Sequence, residues 1–185
     1  MNESEKDLQL KPATRRKLVL GLAGAVAGLA GAGLAWWRFD VDDLENPDPG
    51  KLWELEFKTP QGEALTMAEF RGRPLLINFW ATWCPPCIDE LPLVDSFYRQ
   101  NASSGWQVLG LAIDKPGLVL DFLRRSPVSF SMAMAGIDGI ELSKSLGNSV
   151  GGLPFSVVLG SAGTVLRRKI GKILPQDLML WRELK

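Results

Sequence analysis

The chain has 185 residues, enough for one ordinary domain and an additional segment. Its 21 basic and 21 acidic side chains balance, so charge gives no indication of a nucleic-acid partner. The chain has two cysteines and no histidine. This excludes His-based acid–base and nucleophile pairs, c-type haem attachment and a complete Cys/His zinc site within one chain. The chemistry must therefore come from thiols, carboxylates, hydroxyls or amines, and we expect no metal and no cofactor.

An uncharged segment of 20 residues occupies positions 18–37. That is about the length of a helix that crosses the hydrocarbon core of a bilayer. Residues 1–17 carry five basic side chains and residues 38–51 carry two. Because basic flanks tend to stay in the cytoplasm, we predict a cytoplasmic tail (1–17) and a single-pass inner-membrane anchor or uncleaved signal (18–37). The rest of the chain would then lie in the periplasm. A cleaved export signal and a buried cytosolic helix are the alternatives.

Residues 38–51 are acidic and contain Pro47, Pro49 and Gly50, a composition typical of an exposed linker. A globular pattern begins at Leu52, so we predict one domain over residues 52–185.

Apolar periodicity and turn residues define the elements of this domain. We predict strands at 52–57, 74–81, 106–114 and 128–135, helical segments at 66–72, from Pro85, at 118–125 and at 139–148, a hairpin of 155–160 with 164–171, and a closing helix at 174–185. Strands that alternate with helices predict an α/β fold with a mostly parallel centre and an antiparallel end.

Both cysteines lie in the sequence WCPPC, after the apolar strand 74–81 and at the start of the next helix. Free N–H groups and the helix dipole stabilise a negative charge there, so we expect the pKa of Cys84 to lie below the ordinary value of about 8.5. Cys84 can then attack a partner's disulfide. Cys87, one turn into the helix, can resolve the mixed disulfide.

Three prolines shape this segment. Pro85 fits the first helical turn, where no N–H is needed, and Pro85 with Pro86 restricts the loop between the cysteines. Pro92 removes a hydrogen bond within the helix and is expected to kink it. The strand–CxxC–helix context favours a redox site over a structural cysteine pair or a metal-only pair.

The segment NFWATWCPPCIDELP, residues 78–92, resembles the TlpA/ResA-like, membrane-anchored thiol–disulfide oxidoreductases of thioredoxin fold, which include the CcmG/DsbE-type proteins. GGLPFSVVLGSAGTV, residues 151–165, is similar to a second signature of that family. The resemblance covers about residues 52–185. It implies a central mixed sheet flanked by helices with an inserted α–β element, for which 117–135 is the candidate segment.

The resemblance also implies activity outside the cytoplasm. The expected reaction is the reduction of disulfides in particular protein partners, of the kind that assemble cytochrome c or metal sites, with electrons from a membrane thiol-relay protein. Two alternatives stay open. The first is a thiol oxidant or isomerase, and the second is a non-enzymatic module that delivers a metal.

Further residues take roles from the resemblance. Pro154 is similar to the family's cis-proline that faces the disulfide, with an ordinary trans proline as the alternative. Leu153 and Phe155, on either side of it, are candidates to line the substrate groove or to pack in the core.

Glu90 matches the family's acidic residue near the site, where it could tune a thiol pKa or move a proton; the alternative is a solvated helix carboxylate. Asn78 stands where many cytosolic thioredoxins carry a buried aspartate, which makes Glu90 the stronger carboxylate candidate. Trp80 is expected to pack in the core and Trp83 to lie on the rim of the site.

Overall fold

A computed structural model describes residues 49–184. The predicted tail (1–17), the predicted anchor (18–37) and most of the predicted linker lie outside these residues. Among the residues that are described, no helix has both the length and the hydropathy needed to cross a bilayer.

Seven strands and five α-helices form within residues 49–184. The strands are β1 (Glu56–Lys58), β2 (Ala64–Thr66), β3 (Leu75–Trp80), β4 (Gln107–Ala112), β5 (Ser131–Met134), β6 (Phe155–Leu159) and β7 (Val165–Ile170). The helices are α1 (Pro49–Trp53), α2 (Pro85–Asn101), α3 (Pro116–Arg125), α4 (Gly139–Ser145) and α5 (Pro175–Trp181). Short 3₁₀ helices occur at Met67–Phe70 and Ala102–Ser104.

All seven strands form one mixed sheet in the order β2-β1-β5-β4-β3-β6-β7. Strands β3, β4 and β5 are parallel neighbours. Strand β6 pairs with β3 in the antiparallel direction and forms a hairpin with β7. The predicted parallel centre and antiparallel end are confirmed.

Strand β3 explains why the sheet is covered on both faces. Successive side chains of a strand point to opposite faces, and every residue of Leu75–Trp80 is buried. Leu76 and Trp80 join one apolar cluster, and Leu75 and Phe79 join the other. The continuous apolar run therefore supplies two cores, as expected for a strand buried on both faces.

The strand register brings several loops to one edge of the sheet. Trp80, at the end of β3, lies beside Ala112 at the end of β4, which lies beside Met134 at the end of β5. Phe155 pairs with Phe79, so the start of β6 reaches the same edge. We call this the carboxyl edge.

The prediction of a strand over 52–57 is wrong in its first half. Leu52 and Trp53 end helix α1, and the strand covers only Glu56–Lys58. The side chains of Leu52 and Trp53 are buried in the same apolar cluster, whereas neighbouring residues of a strand would point to opposite faces of the sheet. Helix α1 begins at Pro49, within the last three residues of the segment predicted as a linker.

Other local predictions agree with the structure. The helical turn after Thr66 is the 3₁₀ helix, and the Thr66 N–H donates to Glu69 Oε1 at 3.0 Å. Helix α3 and strand β5 occupy the segment considered for the inserted element. Helix α2 runs through Pro92 to Asn101.

Candidate active site

Cys84 and Cys87 form a disulfide, with an S–S distance of 2.06 Å and a Cα–Cα distance of 5.3 Å. Cys84 is the N-cap of α2, and Pro85 and Pro86 occupy its first positions. The N–H groups of Cys87 and Ile88 donate to the Cys84 carbonyl at 3.0 and 3.2 Å. The cysteines are therefore within bonding reach at a helix start, as the sequence predicts.

The two cysteines differ in access to solvent. Cys84 is 4% exposed, whereas Cys87 is fully buried. Pro85 and Pro86 are exposed, and the Trp83 side chain is 64% exposed. A partner sulfur can consequently reach the disulfide only at Cys84. The positions of Trp83 on the rim and of Trp80 in the core agree with expectation, since Trp80 is buried against Phe122 with ring centroids 5.3 Å apart.

A carboxylate on a neighbouring loop holds the segment before the disulfide. Asp114 Oδ2 accepts hydrogen bonds from the Thr82 N–H at 2.9 Å and from Thr82 Oγ1 at 2.5 Å. Asp114 follows β4 at the carboxyl edge. Sequence reasoning missed this residue, although an acidic side chain immediately after a buried strand was a usable signal.

The Leu153–Pro154 peptide bond is cis, the geometry that the resemblance implies. Pro154 precedes β6 and is buried at the carboxyl edge. The loop before it is held by Asn148, which is buried and whose Nδ2 donates to the Gly152 carbonyl at 2.8 Å. Asn148 was also missed by sequence reasoning, and no motif in the chain identifies it.

The assignment of Phe155 to the substrate groove is wrong. Phe155 is fully buried, and its ring lies 5.8 Å from that of Phe79. Its side chain belongs to the cluster on the face of the sheet opposite the disulfide. Leu153 is half-buried and remains a candidate groove residue.

Glu90 is buried beneath the site, which contradicts the alternative of a solvated carboxylate. Asn78 Nδ2 donates to Glu90 Oε1 at 2.7 Å and to Ser156 Oγ at 2.9 Å. The Ile173 N–H donates to Glu90 Oε2 at 2.5 Å. Glu90 lies one helical turn after Cys87, so it is the carboxylate available on the buried side of the cysteine pair.

Burial raises the pKa of the Glu90 carboxyl above its ordinary value. The hydrogen bonds from Ile173 and Asn78 and the positive charge of Lys172 oppose this shift. Desolvation is the largest cause, because a charged carboxylate loses favourable hydration inside the protein. Glu90 therefore holds its proton more tightly in the folded protein than in the unfolded chain.

We predict that Glu90→Gln removes part of the pH dependence of stability. Since the folded protein binds the Glu90 proton more tightly, the wild-type free energy of unfolding falls as pH rises from the ordinary pKa of 4.5 through the raised pKa. Glutamine has the same shape and no charge, so the variant lacks this decrease. Urea unfolding of both oxidised proteins at several pH values measures the difference. Parallel pH profiles for the two proteins would contradict the assignment.

The mixed sheet, the CxxC disulfide at the start of α2 and the adjacent cis-proline define a thioredoxin-fold thiol–disulfide oxidoreductase. The model of the Redoxin family matches residues 50–177, and the chain belongs to this family. Its similarity to ResA, StoA and DsbE-type proteins agrees with the resemblance read from WCPPC.

Two curated relatives illustrate the similarity. Sporulation thiol-disulfide oxidoreductase A of Bacillus subtilis is 26% identical over 155 residues, which cover 82% of this chain and 91% of that protein. Thiol-disulfide oxidoreductase ResA of Bacillus cereus is 29% identical over 120 residues, 64% of this chain and 66% of that protein.

Solved structures agree in fold. The crystal structure of StoA from Bacillus subtilis is 27% identical, with a TM-score of 0.56 over 69% of this chain and 94% of that one. A thiol:disulfide interchange protein from Chlorobium tepidum is 24% identical and gives a TM-score of 0.63 over 70% of this chain and 90% of that one. At its level of identity the second comparison supports the fold alone.

Proposed function

We propose that this protein is a membrane-anchored disulfide reductase that acts on particular protein partners outside the cytoplasm. The observation that carries the proposal is the Cys84–Cys87 disulfide at the start of α2, with only Cys84 open to a partner. In this arrangement the Cys84 sulfur can attack a partner's disulfide, and the Cys87 sulfur can resolve the mixed disulfide that forms.

Reduction begins with both cysteines as thiols. The Cys84 thiolate attacks one sulfur of the partner's disulfide and forms a mixed disulfide, while the other partner sulfur leaves as a thiolate and takes a proton. Cys87 then loses its proton and attacks the Cys84 sulfur. The Cys84–Cys87 bond forms, and the second partner sulfur leaves as a thiol. Two electrons and two protons pass to the partner, and a membrane dithiol protein restores the reduced pair.

Glu90 is proposed to accept the proton that Cys87 loses. It is buried on the same side of α2, and its raised pKa gives it greater proton affinity than an exposed carboxylate. The Ile173 N–H and the Asn78 amide group hold its two oxygens in place. Glu90 then exchanges the proton with solvent when the site opens to a partner.

The proposed location rests on the sequence of the N-terminal region. The uncharged segment 18–37 and its unequal basic flanks favour an anchor with the oxidoreductase domain in the periplasm. Disulfides persist there, which gives a reductase its substrates. Assembly proteins for cytochrome c or metal sites are the proposed class of partner, following the resemblance to the CcmG/DsbE-type proteins.

The reduction potential of the full-length protein tests the direction of the reaction. Equilibration with glutathione buffers, followed by thiol alkylation and mass spectrometry, gives the ratio of dithiol to disulfide. We expect a potential nearer to the thioredoxin value of about −270 mV than to the DsbA value of about −120 mV. A value near the latter would favour the alternative of a thiol oxidant.

A further inference from the structure

Two polar side chains face each other inside the otherwise hydrophobic strands β3 and β6. Asn78 lies in β3 and Ser156 lies in β6, and the strand register places one directly opposite the other. Both side chains are fully buried. Burial of a polar group is unfavourable unless the group forms hydrogen bonds, so the bonds of this pair account for its place in the sheet.

The pair is bonded to the carboxylate that lies beneath the disulfide. Asn78 and Ser156 point to the same face of the sheet as Trp80, the face that packs against α2 and both cysteines. The Asn78 amide has two N–H groups on Nδ2. One donates to Glu90 Oε1 at 2.7 Å, and the other donates to Ser156 Oγ at 2.9 Å. Ser156 thus accepts the hydrogen that the bond to Glu90 leaves over.

These bonds determine which end of the Asn78 amide faces Glu90. With both N–H groups bonded, Asn78 Oδ1 accepts no hydrogen bond within residues 49–184. The reverse orientation would place Oδ1 against Glu90 Oε1, and two acceptors with no proton between them repel each other. A donor that faces a carboxylate favours its ionised form, which is the form that can accept a proton.

From this geometry we propose that Ser156 is a positioning residue for the proton transfer: it orients the Asn78 amide, and the amide keeps Glu90 ionised until Cys87 loses its proton. The inference rests on the proposed function, in which Glu90 is the proton acceptor. One proton moves from Cys87 Sγ to a Glu90 oxygen, and the Cys87 thiolate then attacks Cys84 Sγ. Ser156 and Asn78 neither gain nor lose a proton.

The influences on the Glu90 carboxyl agree with this role for the amide. Burial raises the pKa of Glu90, and the hydrogen bonds from the Ile173 N–H and from Asn78 are the largest influences that lower it. The Ile173 bond comes from the backbone, so the Asn78 bond is the one of the two that a side-chain substitution removes.

The charges that act on Glu90 at longer range belong to two ion pairs. Lys172 lowers the pKa of Glu90 and Asp177 raises it, each by less than burial or the hydrogen bonds do. Lys172, on the loop after β7, pairs with Asp89 of α2 at 3.1 Å, and Lys169 of β7 pairs with Asp177 of α5 at 2.9 Å. Each pair contains one charge of each sign, so its net effect on Glu90 is small.

Dithiodipyridine allows the two sulfur steps to be followed separately. Cys84 of the reduced full-length protein attacks this disulfide and releases one thiopyridone. Cys87 then attacks the mixed disulfide, the Cys84–Cys87 bond forms, and a second thiopyridone leaves, so that two electrons pass from the protein to the reagent. The second release is intramolecular and independent of reagent concentration. Its rate, measured by stopped flow from below the ordinary carboxyl pKa of 4.5 up to neutral pH, gives the midpoint at which the proton acceptor ionises.

Ser156→Ala is expected to move this midpoint upward by about half a pH unit, since one hydrogen bond of the amide is lost. Asn78→Leu removes the bond to the carboxylate itself and is expected to move the midpoint upward by at least about one pH unit. Ser156→Thr keeps the hydroxyl group and restores the wild-type midpoint. A general loss of packing would lower the rate at every pH and leave the midpoint in place.

Ser143→Ala is the matched control. Ser143 is also buried, and its Oγ accepts a hydrogen bond from the buried amide of Asn148 at 3.1 Å. Within residues 49–184 neither member of this pair forms a hydrogen bond to Glu90. The control therefore removes the same kind of serine–asparagine bond, and the midpoint is expected to stay at its wild-type value.

The inference is overturned if either Ser156→Ala or Asn78→Leu leaves the midpoint unchanged, or if Ser143→Ala moves it as far as Ser156→Ala does. Should Asn78→Leu fail to fold, the comparison of Ser156→Ala with Ser156→Thr decides the question.

Failure of the proposed function gives different results. Release of only one thiopyridone by the wild type contradicts attack by Cys84 followed by resolution by Cys87. An unchanged pH profile of the second release in Glu90→Gln contradicts the assignment of Glu90 as the proton acceptor.

Discussion

Replacing Cys87 with alanine is expected to convert the protein into a covalent trap for its partners. Cys84 keeps its position at the start of α2 and its access to solvent, so it still attacks a partner's disulfide. Without the second thiol, the mixed disulfide has no internal route to resolution. Turnover should fall to background. Non-reducing electrophoresis and mass spectrometry of the purified adducts would identify the partners.

Cys84→Ala is the matched control, because it removes the cysteine that retains some access to solvent and leaves the fully buried one. We expect no adducts from this variant, since Cys87 is fully buried. Two results would refute the order of attack and resolution. One is the formation of adducts through Cys87 in the Cys84→Ala variant, and the other is the absence of adducts in a folded Cys87→Ala variant. Treatment with a reductant should release every true partner.

Trp80→Ala is expected to destabilise the oxidised protein by about 3–5 kcal/mol, the usual cost of truncating a large buried aromatic side chain. Trp80 is fully buried, packs against Phe122 and shares an apolar cluster with both cysteines. Against a typical total stability of about 5–15 kcal/mol, this loss is large. Urea unfolding followed by circular dichroism measures it.

Trp83→Ala provides the comparison within the same segment. Trp83 is mostly exposed, so the free energy of unfolding should change by no more than about 0.5 kcal/mol. Its effect should instead fall on the reduction of protein partners, because it lies beside Cys84. Equal destabilisation by the two tryptophan substitutions would contradict the packing described for Trp80.

The central strands and the redox pair could be predicted because their signals are local. A short continuous apolar run such as Leu75–Trp80 is typical of a strand that is covered on both faces of its sheet. The CPPC sequence predicts the start of a helix at the cysteine pair, since prolines are favoured at the first helix positions, which need no N–H donor. For these elements the pattern and the structure agree closely.

Short elements and contacts between loops could not be predicted in the same way. Strand β2 has three residues and forms only by pairing with β1. Asp114 binds Thr82, 32 positions away, and the Glu90 carboxylate is enclosed partly by Ile173, 83 positions away. Tertiary packing decides such contacts. Phe155 was misplaced because a residue next to a site proline can point to either face of the sheet.

Because the Ile173 N–H donates a hydrogen bond to Glu90, the position of the loop after β7 affects the proton affinity of the Glu90 carboxylate. A shift of that backbone by one ångström would loosen the bond and change the proton affinity of the carboxylate next to the cysteines. The loop is thus a place where protein engineers could adjust the reactivity of the redox centre while leaving its four-residue motif untouched.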